Sequence, residues 1–271
     1  MLSKFSAAIL ALFLICAPAA ANAARVSPMI VELEPVGSGS VARVELTNQG
    51  ERNIPYEVRV MRGEIDEVGG LSLTPADDEF LVFPPQTIVQ ANSQQVFRLQ
   101  YVGEPELAQS EIYYMSIQQV PVAFEEGVSQ VQVVINYNVL VNVVPDGTAP
   151  AAVVESIEVT ERLPEVEPED PLAQPDEENQ EQQTAQEPAI PQPGLSVRVS
   201  NAGTRYFLAG MSDWSIAGTA EDGSEYNRRF TNQELTRVIG VGVVGPGRSR
   251  VFFVPTDVPL VQDSVSIEVS P

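Results

Sequence analysis

Histidine is absent from all 271 residues. That removes Ser-His-Asp and Cys-His nucleophilic schemes and every histidine-ligated metal site. Cysteine occurs once, at Cys16, and lysine once, at Lys4. Beyond that point no disulfide can brace the chain, so hydrophobic cores alone must hold it. Arginine is the only basic residue after Lys4, and against 37 Asp and Glu the formal net charge is −22. A surface of that sign disfavours nucleic acid and anionic lipid as partners. Carboxylate chemistry is the one catalytic class left. Its densest cluster, Asp77-Asp78-Glu79, reads as a solvated loop, so no enzyme, cofactor or metal site is expected. Helical periodicity sustained over three turns is missing as well.

The first 23 residues carry one positive charge, an apolar run from Ala7 to Ala17, and a small-x-small ending at Ala21-Asn22-Ala23. This is the pattern of a cleaved secretory signal, and the run falls short of the ~20 residues a membrane helix needs. The expectation is an exported protein with no stable membrane insertion.

From Val26 onward the chain reads as β. Short Val-, Ile- and Leu-rich runs alternate with Gly, Pro, Asn and Asp. VSPMIVELEP, SVARVELTNQG, IPYEVRVMRGEI, QQVFRLQYVG, SEIYYMSIQQVPV and VQVVINYNVLVNVVP are six strand candidates. Six or seven strands in this length suit an immunoglobulin-type sandwich, here residues 24–146. A second unit, residues 147–271, opens on AAVVESIEVTERL and resumes at GLSVRVSNAGTRYFLAGMSDWSIAG, with further strands in EYNRRFTNQEL, GVGVVGPGRSRVFFVP and DSVSIEVS. Between its first two strands lies an insert, about residues 164–193, dense in Pro, Glu and Gln. Such a stretch cannot bury enough apolar surface to order itself. It also lacks the glycine turn of a tight calcium loop. The fold class read from this pattern is all-β: two immunoglobulin-like sandwiches, with a disordered acidic insert in the second.

Residues 131–144, VQVVINYNVLVNVV, stand out. Every odd position is apolar: Val131, Val133, Ile135, Tyr137, Val139, Val141 and Val143. Alternate side chains of a strand share a face, and a typical strand is only about 5–6 residues long. A ribbon more than twice that length overshoots its own sheet.

The order of these segments resembles the periplasmic pilus chaperones, the PapD-like family. The resemblance is carried by Gln95-Val96-Phe97-Arg98-Leu99, by Val120-Pro121-Val122, by Leu46-Thr47-Asn48 before a turn, and by Val244-Gly245-Pro246-Gly247 with Phe252. It implies a chaperone that stabilises pilin-like subunits with an incomplete immunoglobulin fold by lending them a strand, then delivers them to an outer-membrane usher from the periplasm. The implied donor residues are Val131, Val133, Ile135 and Tyr137. Val139, Val141 and Val143 are expected to stay in the chain's own core.

The sequence also departs from the family. Its two basic anchors for the subunit's C-terminal carboxylate fall on Ile30 and Leu140 here. Arg25, Arg98 and Arg198 are the candidate substitutes. A glutamate expected at the start of the penultimate strand is out of register, with Ser110 in its place and Glu111 beside it. The alternative reading is an exported structural or adhesive protein of a surface fibre.

Overall fold

The computed structural model describes residues 24–121, 134–163 and 191–271. The signal segment, Val131, Val133 and nearly all of the acidic insert lie outside the described residues.

The chain forms two immunoglobulin-like β-sandwiches. The first contains β1 (Arg25–Ser27), β2 (Ile30–Leu33), β3 (Val41–Asn48), β4 (Ile54–Ile65) and β5 (Leu71–Pro75), then β6 (Phe80–Phe83), β7 (Gln86–Val89), β8 (Ser93–Tyr101), β9 (Glu111–Gln119) and β10 (Asn136–Val143). One sheet runs β1-β3-β8-β6; the facing sheet runs β2-β10-β9-β4-β5, with β7 also on β4. Alternation assigns the faces: Phe97 and Leu99 of β8 and Tyr113, Met115 and Ile117 of β9 are fully buried between the sheets. Phe80 meets Tyr113 edge-on, ring centroids 4.8 Å apart.

The second sandwich contains β11 (Ala152–Arg162), β12 (Gln192–Asn201), β13 (Phe207–Leu208), β14 (Asp213–Thr219), β15 (Glu225–Phe230), β16 (Val243–Val244), β17 (Ser249–Pro255) and β18 (Ser266–Ser270). Its main sheets run β11-β12-β17 and β15-β14-β18. Trp214 and Phe252 centre its core, at 6.1 Å in an edge-to-face arrangement.

Both sandwiches use one asparagine in the same way. Asn48 Nδ2 donates to the carbonyls of Arg52, Val89 and Gln90, and its Oδ1 accepts from Gly50 N–H. Asn201 Nδ2 donates to Arg205 and Val244, and its Oδ1 accepts from Gly203 N–H. Each side chain satisfies backbone groups that a buried turn would otherwise leave unpaired.

Three readings from the sequence are corrected. VSPMIVELEP is two strands in different sheets, because the chain crosses the sandwich at Pro28, which has no N–H to give a ladder. EYNRRFTNQEL is half strand and half helix: Asn232–Ile239 is helical, started by a reciprocal capping box between Thr231 and Glu234. The Thr-x-x-Glu signal was present, but eight residues are too few to display helical periodicity. The insert, read to residue 193, ends sooner, since Gln192 already pairs with Arg162 across the β11–β12 hairpin.

Candidate functional site

The last strand of the first sandwich has two unlike halves. From Leu140 to Val143, β10 is flanked on both sides, antiparallel by β9 and parallel by β2. From Asn136 to Val139 its partner among the described residues is β9 alone. Its other edge pairs with no described strand there, and such an edge presents unpaired N–H and C=O groups.

The odd face of β10 turns inward. Val139, Val141 and Val143 are fully buried in the first core. Tyr137 is half-buried against the same core, and its hydroxyl donates to the Ala24 carbonyl at 2.6 Å. Burial raises the Tyr137 pKa. One step further out, Ile135 lies before the strand begins and is exposed, as is Val134. Of the four sequence-read donor residues, Ile135 and Tyr137 are therefore placed at the open end of β10, while Val131 and Val133 lie outside the described residues.

The even face meets the second sandwich. Leu140 and Val144 pack with Tyr206 and Val243 in an apolar cluster, joined by Ile30, Ile65, Ile112, Tyr114 and Leu208. Ile30 and Leu140 are register partners in the β2–β10 pair. The two positions where the family places its basic anchors are thus adjacent here, and both are greasy. A charge at either would be desolvated with no counter-ion among these side chains.

Polar contacts fence the cluster. Tyr206 donates its hydroxyl to Glu32, which also takes Arg205 at 2.8 Å. Burial, then the bond to Glu32, raises the Tyr206 pKa. Ser110, fully enclosed, donates its N–H to the Thr204 carbonyl and accepts Tyr206 N–H on its hydroxyl. A serine in the glutamate's expected place is therefore a joint between the two sandwiches. The β4–β5 hairpin adds a second joint: Glu67 accepts Val251 N–H at 2.7 Å and takes Arg198 as an ion-pair partner.

A cleft of about 140 Å³ opens beside the cluster, lined by Arg62, Glu111, Ser110, Arg248 and Arg250 among others. Arg62 is held by Glu79 at 2.6 Å and by Glu111 at 3.2 Å. Arg250 sits over the Phe252 ring at 5.3 Å and donates to the Val243 carbonyl, and burial lowers its pKa. Sequence reading did not single out these arginines. No local motif marks them, because the cleft exists only where the two sandwiches meet. The arginines it did single out are elsewhere: Arg25 and Arg98 are exposed on the β1-β3-β8-β6 sheet, and Arg198 is ion-paired to Glu67 and Glu155.

Residues 33–149 match the family model described as pili and flagellar-assembly chaperone, PapD N-terminal domain. The first sandwich belongs to this family. The PapD-like match takes in β3 to β10 and begins at the last residue of β2, Leu33. Among solved structures, the chain is similar to the Salmonella enterica SafA pilin in complex with the SafB chaperone, at 15% identity and a TM-score of 0.48 over 91% of this chain and 96% of that one. It is also similar to the class 5 fimbriae chaperone CfaA, at 12% identity and 0.47 over 92% and 99%. The CsuC–CsuE chaperone–tip adhesion subunit complex of Acinetobacter baumannii aligns at 12% identity and 0.46 over 86% and 90%. No curated protein matches the chain. Among the described residues no helix is long and apolar enough to cross a membrane.

Proposed function

We propose that this PapD-like protein is a periplasmic chaperone that captures pilin-like subunits by strand donation and passes them to an outer-membrane usher. The observation that carries the reading is the half-open edge of β10: among the described residues Asn136–Val139 pair on one side only, and the apolar alternation continues past the end of the strand through Ile135. A subunit lacking its last strand has an unpaired sheet edge above an apolar groove. Backbone bonds along the open edge of β10 satisfy that sheet edge. Val131, Val133 and Ile135, which continue in sequence the odd-position alternation of Val139, fill the groove at every second position. Each such side chain, fully buried, contributes roughly 1.5–3 kcal/mol of transfer free energy.

The client's C-terminal carboxylate is not received between Ile30 and Leu140, where no cation is available. A carboxylate entering the interdomain cleft meets Arg62, Arg248 and Arg250 instead, and charge-assisted donors of that kind are what a half-buried carboxylate needs.

The test is co-expression with a pilin-like subunit and recovery of the pair from periplasmic extract. The double variant Val133→Asp/Ile135→Asp should lose the subunit; Ile135 is exposed and no member of the first core, and a far-ultraviolet spectrum equal to that of the natural chain shows that the variant folds. Undiminished capture by that variant would rule out strand donation.

A further inference from the structure

The two sandwiches share a ladder plan. β12 pairs with β17 as β3 pairs with β8, and β14 pairs with β18 as β4 pairs with β9. Asn48 and Asn201, at the ends of β3 and β12, hold the same turn. This equivalence puts β18 in the place of β9. In the first sandwich β9 has β10 on its far side, and the rim of the core is sealed: Val31 and Leu33 of β2 and Met115 and Ile117 of β9 are all buried. In the second, no described strand pairs with the far side of β18.

The consequence is visible in the packing. The apolar side chains only partly buried against the second core include Val154, Ile157 and Val159 on β11, and Val265 and Ile267 at β18. They gather along the rim that a β10-like strand would seal. The backbone there is also short of partners. Gln262 sends its side-chain amide to β11, accepting Val159 N–H at 2.7 Å and donating to the Ile157 carbonyl at 2.8 Å. One amide thus gives β11 the pair of bonds that one residue of a neighbouring strand would give. The rim is acidic: Glu158 and Glu161 on β11, and Asp263 and Glu268 around β18, are all exposed.

We propose that the outer edge of β18 is a second docking site, which takes an extended segment of a partner protein with apolar residues at alternate positions and Lys or Arg between them. The apolar residues cover Ile157, Val159 and Ile267; the backbone extends the β15-β14-β18 sheet; the basic residues meet the acidic rim. The site is independent of β10, so it stands or falls apart from the strand-donation reading.

The experiment is hydrogen exchange on the full chain with three ten-residue peptides: alternating Lys and Val, alternating Lys and Ser, and alternating Glu and Val. The Lys/Val peptide should slow exchange of the Ser266–Ser270 amides at least tenfold, and the other two should not. In Glu158→Lys/Glu268→Lys, whose changes lie on exposed side chains, that protection should be lost while the rest of the exchange pattern stays as it was. Protection equal for Lys/Ser and Lys/Val would reduce the effect to charge alone and overturn the proposal. So would no change at β18 with any peptide. Slow exchange already present without peptide at those Ser266–Ser270 amides that face away from β14 would overturn it too, since the edge would then be covered by this chain or by a second copy.

Discussion

Leu140 lies directly beside Ile30 in a parallel pair, its N–H donating to the Met29 carbonyl at 3.0 Å, and both side chains face the second sandwich. An apolar contact at this place ties the two sandwiches together by hydrophobic burial, and the flanking ion pairs add direction rather than much stability, since exposed pairs contribute little.

Truncating the contact should therefore loosen the joint. Leu140→Ala should lower stability by about 2–5 kcal/mol. Trp214, the only tryptophan, reports the second sandwich alone. Its fluorescence and the far-ultraviolet signal of both sandwiches should give coincident urea transitions in the natural chain and separate ones in the variant. Coincident transitions in both would show that the joint does not couple the sandwiches.

The asparagine turns should be strongly sensitive. Asn48→Ala strips donors from three carbonyls at once, each left unsatisfied at about 1–3 kcal/mol where buried. Asn201→Ala should act likewise on the second sandwich. Proteolysis of each variant should cut its own sandwich first; a variant as resistant as the natural chain would show that water replaces the side chain.

The pH profile should be lopsided. All seven tyrosines have raised pKa values, chiefly through burial, with Tyr56 pushed up to about 12. A raised folded value means that the stabilisation is complete below the unfolded pKa of about 10, and is lost as pH climbs through the folded values. With no histidine, little should change between about pH 6 and 8. Urea midpoints should be nearly equal over that range and fall steeply above about pH 10. A marked change near pH 6.5 would point to a carboxylate of unusual affinity.

The short helix depends on its cap. Thr231→Ala removes the hydroxyl half of the capping box and leaves the backbone N–H that donates to Glu234, and it should destabilise the second sandwich by about 0.5–2 kcal/mol, read by chemical denaturation. Thr231→Ser should restore most of that loss, because the oxygen that accepts Glu234 N–H is kept.

Much of this protein was legible in the chain itself. Strict alternation at 131–144 assigns the odd face of β10 to a core, since a one-residue slip would turn Val139, Val141 and Val143 to solvent. The missing histidine and the scarce cysteine exclude whole classes of chemistry, because no fold can supply a side chain that is absent. What the sequence could not show is contact at long range. Nothing local says that Ser110 joins Tyr206, that Ile30 touches Leu140, or that Arg62 and Arg250 face one cleft; these pairs lie on different strands or different sandwiches, and only packing brings them together. The far side of β18, which pairs with no described strand, belongs to the same class. An edge is the want of a neighbour, and which strands have neighbours is decided by the assembled sheet.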